Sequence, residues 1–381
     1  MSRKVALGEL IKPAKVKRCG NDSYPVLSMT MHNGIVMQSD RFKKELASKD
    51  TSNYKVVRTG QLVEGFPIDE GVIYIQSLGY SGIMSPAYKV WDVNDKIVLP
   101  EYLDFALHSP QSMAYYRAKL RGTTARRRSI PDSELLKLRL ELPDLVTQRQ
   151  IVCTLRGVRS DIGSYEAMTK KLDELVKSRF IEMFGDPQEN PKDLPIKRID
   201  EIADVQTGAT PLRSNPDYYG GAIPWIKTGE VASGLAGDAE ETITELALKE
   251  TNCKLFPAGT ILIAMYGQGD TRGKAAILKQ EAATNQACAA VLLHDDCDPD
   301  FILAQLNLRY RDLRSLSLGG NQKNLSLKII KGYHLVIPDE GRQREFMSFK
   351  RRVDKSAFEA RQAIDKLQLL YDSLAQEYFG D

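Results

Sequence analysis

No stretch of the sequence approaches the roughly 18–20 consecutive apolar residues of a membrane-crossing helix. The start, Met1-Ser2-Arg3-Lys4-Val5-Ala6-Leu7-Gly8-Glu9, lacks the apolar core of a secretory signal. No CxxC pair occurs among the five cysteines (Cys19, Cys153, Cys253, Cys288, Cys297), and their odd number and scatter fit reduced thiols in the cytoplasm. No HExxH, GxSxG or strand-borne GxGxxG is present, and the four histidines (His32, His108, His294, His334) lie far apart. Cys288, His294 and Cys297 form a C-x5-H-x2-C spacing without a fourth ligand, so no metal site is expected. The chain is expected to have no catalytic residues of its own.

The sequence repeats itself at an offset of 195. Glu182-Met183-Phe184-Gly185-Asp186 returns as Glu377-Tyr378-Phe379-Gly380-Asp381. Pro143-Asp144 meets Pro338-Asp339, Gln148-Arg149 meets Gln343-Arg344, and Lys171-Leu172 meets Lys366-Leu367. With small gaps, Pro100-Glu101-Tyr102-Leu103 resembles Pro299-Asp300-Phe301-Ile302. A period this long is a tandem duplication of about half the chain rather than a solenoid. Each half opens with short β-type runs broken by Gly, Pro, Asn and Asp, such as Val72–Gln76 and Thr260–Met265. One helix is predicted inside each, Glu101 to Lys119 and Pro299 to Leu316, and a long helix follows.

In the second half the apolar positions are Val353, Ala357, Ala360, Ile364, Leu367, Tyr371, Leu374 and Tyr378, spaced alternately by four and three. The first half carries Ile151, Leu155, Val158, Ile162, Tyr165, Leu172, Val176 and Met183 in the same register, with Thr169 and Arg179 as polar interruptions. A 3.5-residue period is a coiled-coil seam, and matching registers predict that the two helices pair with each other. At 1.5 Å per residue, about 36 residues would span roughly 55 Å. Gly157 and Gly163 are expected to loosen the first helix. Gly185 and three prolines (Pro187, Pro191, Pro195) mark a linker.

The fold class read from this pattern is α+β: two β-rich domains and two long helices pairing as an antiparallel coiled coil, with a pseudo-twofold internal repeat. The expected boundaries are a first domain at 1–143, a helix at 144–184, a linker at 185–195, a second domain at 196–338 and a helix at 339–381. An antiparallel pairing would set the domains at opposite ends of a rod.

The net charge of +3 says little, but its distribution says more. Residues 117–139 hold eight Lys/Arg against two acids, and residues 309–331 hold six against one. Both windows include a glycine turn and small polar residues: Arg121-Gly122-Thr123-Thr124-Ala125-Arg126-Arg127-Arg128, and Gly319-Gly320-Asn321-Gln322-Lys323-Asn324. Lys and Arg neutralise phosphates, and Arg, Asn and Gln can make paired hydrogen bonds to purine edges. The candidate DNA contacts are therefore Arg121, Thr123, Arg126, Arg127, Arg128, Asn321, Gln322, Lys323 and Asn324. Two more segments are candidates. Tyr266-Gly267-Gln268-Gly269-Asp270-Thr271-Arg272-Gly273-Lys274, with Arg272 and Lys274, reads equally as a contact loop or a plain hairpin turn, and lacks the P-loop spacing. Trp225-Ile226-Lys227-Thr228 offers Lys227 and Thr228, with Trp225 assigned to the core. Asn215-Pro216-Asp217-Tyr218 resembles the N-P-P-Y element of adenine-N6 methyltransferases. Its third residue is wrong and no upstream F-x-G-x-G loop exists, so it reads as a turn.

Two recognition domains, each followed by a long helix, resemble the specificity subunit of type I restriction–modification systems. The likeness spans essentially the whole chain. It is carried by Phe184-Gly185-Asp186-Pro187 with Asn190-Pro191, the echo Phe379-Gly380-Asp381, Gly320 to Ser326 leading to Ile337-Pro338 and Gln343-Arg344, and the counterpart from Gly122 to Pro131 leading to Leu142-Pro143 and Gln148-Arg149. Thr284-Asn285-Gln286 and Pro224-Trp225-Ile226 also look familial. Leu145-Val146-Thr147 and Glu340-Gly341-Arg342 depart from the family's proline-rich run, and the first 30 residues match poorly.

The resemblance implies a subunit without an active site that reads double-stranded DNA in two half-sites, with the helices fixing the gap. It implies two methyltransferase (modification) subunits and two restriction/translocase subunits as partners. S-adenosylmethionine, ATP and Mg would sit on those partners and no cofactor on this chain. It implies no membrane association and a cytoplasmic location. The alternative is a coiled-coil scaffold joining two protein-binding β-modules without DNA.

Overall fold

The computed structural model describes residues 3–31, 33–41, 50–120, 128–186, 189–235, 239–267, 269–294, 297–317 and 324–380. The chain divides into two compact units, the first made of 1–168 with 359–381 and the second of 169–358.

In the first unit, β1 (Arg3–Ala6), β2 (Ile11–Pro13), β3 (Leu62–Glu64), β4 (Ile73–Ile75), β5 (Lys89–Val93) and β6 (Arg139–Leu142) carry the architecture. A four-stranded antiparallel sheet runs β2-β5-β3-β4, and β1 pairs with β6. The single predicted inner helix is two, α1 (Pro100–Leu107) and α2 (Pro110–Lys119). The break follows from Pro110, which cannot continue a helix but suits its first turn. Ser109 caps α2 by accepting from Ser112 N–H at 3.2 Å. The first long helix, α3, runs Leu145–Phe184. It is continuous through Gly157 and Gly163, so the expected loosening does not interrupt it. A methyl group added at either glycine would meet nothing within 4 Å. Gly157→Ala and Gly163→Ala should each stabilise the chain by about 0.5–1 kcal/mol through helix propensity alone, read as a higher urea midpoint.

The second unit repeats the plan. Its elements are β7 (Ile196–Arg198), β8 (Ala203–Thr207), β9 (Tyr219–Ile226), α4 (Thr228–Ala232), β10 (Ile261–Ala264), β11 (Ala275–Ile277), β12 (Ala282–Thr284), β13 (Cys288–Leu293), α5 (Pro299–Leu308), α6 (Tyr310–Ser315) and β14 (His334–Val336). The sheet β8-β13-β10-β11 has the order of β2-β5-β3-β4, and β7 pairs with β14 as β1 does with β6. In addition, β9 lies parallel to β12, with Trp225 opposite Ala283. Here too the predicted inner helix is split, into α5 and α6 at Arg309.

The second long helix, α7, runs Glu340–Phe379. Each long helix contributes to both units, and the two pack antiparallel within each. In the first unit, Ile151, Val152 and Leu155 of α3 share a core with Ala375 and Phe379 of α7, and the Arg159 guanidinium lies 4.5 Å from the Phe105 ring and 5.0 Å from that of Tyr371. In the second, Val176, Phe180 and Phe184 share a core with Phe346, Met347 and Val353, and Arg179 pairs with Glu345 at 2.6 Å. The seam read from the sequence faces inward at Leu155, Val176, Val353 and Ala360, while Tyr165 is 36% exposed.

The repeat-equivalent prolines 143 and 338 each precede an aspartate that caps a long helix. Asp144 accepts from Val146 and Thr147 N–H, and Asp339 from Arg342 N–H. Four residues on, a buried glutamine reaches back: Gln148 donates to the carbonyls of Ile97 and Pro143 and accepts from Leu99 N–H, and Gln343 donates to the carbonyl of Pro338. Buried amides so bonded orient the helix start on its domain. Among the described residues, no helix is long and apolar enough to cross a membrane.

Candidate nucleic-acid interface

In the second unit, segments far apart in sequence meet at one edge of the sheet. Asn285 N–H donates to Ile226 C=O at 3.1 Å, beside Lys227. Met265 N–H donates to Ala287 C=O at 2.8 Å, and Leu325 N–H to Met265 C=O at 3.0 Å. This chain of backbone bonds joins the Lys227–Thr228 turn, residues 285–287, the start of the Tyr266–Lys274 loop, and Asn324. Two of the four candidate segments read from the sequence, and Asn324 of a third, thus belong to one place.

The Tyr266–Lys274 loop is braced from beneath by α6. The Tyr310 hydroxyl donates to Asp270 C=O at 3.0 Å, and the Arg314 guanidinium donates to the carbonyls of Gly269 and Arg272, the latter at 3.1 Å. The Lys274 ammonium lies 4.6 Å from the Tyr310 ring centre. Gly267 has φ +139°, and a Cβ there would come within 2.6 Å of Thr271. Only glycine fits that bend. The loop joins the antiparallel neighbours β10 and β11, so it is a hairpin connection, and α6 braces its described residues.

Charge is distributed unevenly among the candidates. Lys227 lies 2.7 Å from Glu240 and 3.1 Å from Glu241, and the hydrogen bonds it donates to these carboxylates hold its ammonium above the usual lysine range. Glu241 also takes Arg213, whose hydrogen bond leads in pulling that carboxyl below its ordinary range. Thr228 is the half-buried first residue of α4, and Asn324 is half-buried. In the first unit, Arg128 lies 3.0 Å from buried Asp69 and 2.7 Å from Glu70. Arg128 and Lys227 therefore answer carboxylates of their own domains, which reduces what either offers a phosphate. Arg121, Thr123, Arg126, Arg127, Asn321, Gln322 and Lys323 lie outside the described residues.

Other sequence readings find their places. Trp225 is 1% exposed in an apolar cluster with Ile223 and Ile243. Asn215 accepts from Asp217 N–H at 3.1 Å in a short 3-10 turn. Cys288 and Cys297 belong to separate apolar clusters, and burial pushes the Cys288 thiol up to about 12. Two residues given no role in the sequence reading stand at the edge just described: exposed Gln286 and exposed Thr210, whose hydroxyl donates to Gln286 Oε1.

Residues 191–369 match the model of the type I restriction modification DNA specificity domain. The chain is 29% identical over 160 residues to the type I restriction enzyme MjaIX specificity subunit of Methanocaldococcus jannaschii, covering 41% of this chain and 36% of that one. It is 25% identical over 162 residues to the EcoR124I/EcoR124II specificity subunit of Escherichia coli, covering 42% and 40%. The matched stretch thus spans well under half the length of either relative. A likeness to the HindI specificity subunit of Haemophilus influenzae runs further, at 18% identity over 332 residues, 68% of this chain and 72% of that one. The chain is thus similar to type I restriction specificity subunits, and the family model matches residues 191–369 of it.

The fold agrees over its whole length. A chain from the solved structure on complex assembly and conformational transition of a type I R-M system superposes with TM-score 0.64 at 16% identity, covering 99% of this chain and 97% of that one. The S subunit from M. genitalium gives TM-score 0.57 at 14% identity, covering 100% and 96%. The family model lies over the end of the linker, the second β-rich half and most of α7.

Proposed function

We propose that this chain is a specificity subunit that reads a two-part DNA target, one half-site per unit, with the paired helices setting the gap, and docks the subunits that act on the DNA. The carrying observation is the braced Tyr266–Lys274 loop, joined through Met265 to Leu325 and through Ala287 to residue 285 and Ile226. It gathers basic and amide side chains on a fixed backbone, which suits phosphate positioning beside base reading. The chain itself carries no catalytic step. S-adenosylmethionine, ATP and Mg belong to two modification and two restriction/translocase partners. Leu175 of α3 and Leu370 of α7, 195 residues apart, are each 47% exposed, which supports two equivalent docking points on the helices.

Salt-dependent binding of duplex DNA tests this reading. Affinity should fall linearly in log[salt]. The double variant R272A/K274A should bind all duplexes more weakly with a slope shallower by about 2, one for each phosphate no longer neutralised. Binding that is absent, or indifferent to salt, returns the scaffold reading.

A further inference from the structure

The β10–β13 ladder pairs Ala264 with Cys288, and the bond from Met265 N–H to Ala287 C=O carries the same register one step further. Just beyond the paired residues stand Tyr266 and Gln286, the latter inside the turn that Cys288 N–H closes onto Asn285 C=O at 3.2 Å. Ala264 and Cys288 share an apolar cluster with Val231 of α4. The apolar cluster thus gives way, at the ends of these strands, to two exposed side chains, Tyr266 at 43% exposure and Gln286. Among the described residues, the Tyr266 hydroxyl has no hydrogen-bond partner.

Gln286 is held on both sides. Its neighbours Asn285 and Ala287 are fixed by backbone bonds to Ile226 and Met265, and the Thr210 hydroxyl donates to its Oε1. That bond sets which way the amide faces. It uses one lone pair of Oε1 and leaves the other, together with both N–H groups of Nε2, facing solvent. The remaining acceptor beside a donor complements one base edge in the major groove: adenine, whose N6–H2 donates beside the N7 acceptor.

We propose that Gln286 reads an adenine of the half-site bound by the second unit, with Thr210 as its positioning residue and Tyr266 flanking the same opening. This rests on the DNA-reading function proposed above. The adenine read is one that stays in the helix, because a base undergoing N6 methylation is taken out of the stack. Arg272 and Lys274, on the adjoining loop, supply the phosphate contacts that place the duplex.

The test is the N6-methyladenine motif mapped across a genome encoding the wild-type chain or one variant, with its partner subunits present. The wild type should yield a two-part motif with a fixed gap. Gln286→Ala should relax one A·T position, losing about 10–100-fold discrimination there. Gln286→Glu should shift that position towards C·G, because a carboxylate accepts from cytosine N4. Thr210→Val should relax the same position more weakly. In parallel, Gln286→Ala should leave the salt slope of duplex binding unchanged, since an uncharged base reader displaces no counterion from the phosphates. A wild-type motif that Gln286→Ala leaves intact at every position overturns the assignment while sparing the DNA-reading function. Equal weakening for all duplexes with a shallower slope also overturns it, by making Gln286 a backbone contact. A wild type with no bipartite motif and no salt-dependent binding sinks both.

Discussion

Replacing Phe184 by alanine should cost the second unit about 3–5 kcal/mol of stability. Phe184 is the last residue of α3 and is fully buried. Its ring centre lies 5.0 Å from Phe180, 5.5 Å from Phe301 and 5.7 Å from Phe346, with the last two edge-on. Removing the ring strips an aromatic neighbour from each of these three and leaves a cavity that α3, α5 and α7 would have to close. The chain cannot easily slide to fill it, because Gly185 ends the helix in a left-handed turn with its N–H on Ile181 C=O at 2.7 Å. The sequence provides a clean readout. Its only two tryptophans are Trp91 in the first unit and Trp225 in the second, both nearly fully buried. In single-tryptophan backgrounds, the denaturant midpoint seen by Trp225 should drop sharply in Phe184→Ala. Phe379→Ala, which removes the ring 5.4 Å from Tyr102, should act mainly on the transition seen by Trp91. Leu175→Ala, at a 47% exposed position, should stay within about 0.5 kcal/mol of wild type.

Gly208→Ala should be similarly severe for a different reason. A Cβ at Gly208 would lie 1.7 Å from the carbonyl oxygen of Thr284 and 2.4 Å from its carbon. Backbone must move, and neither side is free to do so. Ala209 N–H donates to that same carbonyl at 3.0 Å, and the Thr284 hydroxyl donates to Ile226 C=O at 2.9 Å. Overpacking against two pinned segments should cost about 3 kcal/mol. It should also shift residues 284–286, so that DNA binding weakens beyond what the loss of folded protein explains. Gly229→Ala is the control, because a methyl group there meets nothing within 4 Å. If Gly208→Ala matches that control in both stability and DNA binding, the close approach has been misjudged.

Much of the architecture is legible in the amino-acid pattern. The 195-residue repeat appears as one strand order used twice, and the 3.5-residue spacing of Leu155, Val176, Val353 and Ala360 faces inward because period alone fixes a helix face. The breaks at Ser109 and Arg309 escape the pattern for local reasons. The apolar spacing continues across both, although at the first Pro110 is itself the signal that decides the break. The packing of Phe184 against Phe301 is not visible either. It joins the end of one repeat to the domain of the next, and sequence similarity says only that Phe184 and Phe379 are equivalent. For the candidate interface, composition locates the basic and amide loops, but it cannot show that Arg128 and Lys227 are matched by Asp69, Glu70, Glu240 and Glu241. Gln286 enters the sequence reading only as part of the familial Thr284-Asn285-Gln286, with no role attached. It gains meaning from the turn that fixes it beside the end of β10, and from the hydroxyl of Thr210, 76 residues away.

The division of the chain also sets an order of assembly. The second unit is one uninterrupted stretch, 169–358, whereas the first draws on residues 359–381. During translation at about 5–20 residues per second, residue 359 follows residue 168 by roughly 10–40 s. For that interval the first unit exists without its last helical turns, and the apolar surface of Tyr102 and Leu155 that Ala375 and Phe379 cover is open to water. The half made first is thus finished last. A nascent chain stalled beyond residue 168 should present a sticky, chaperone-attracting surface that vanishes once Phe379 is delivered.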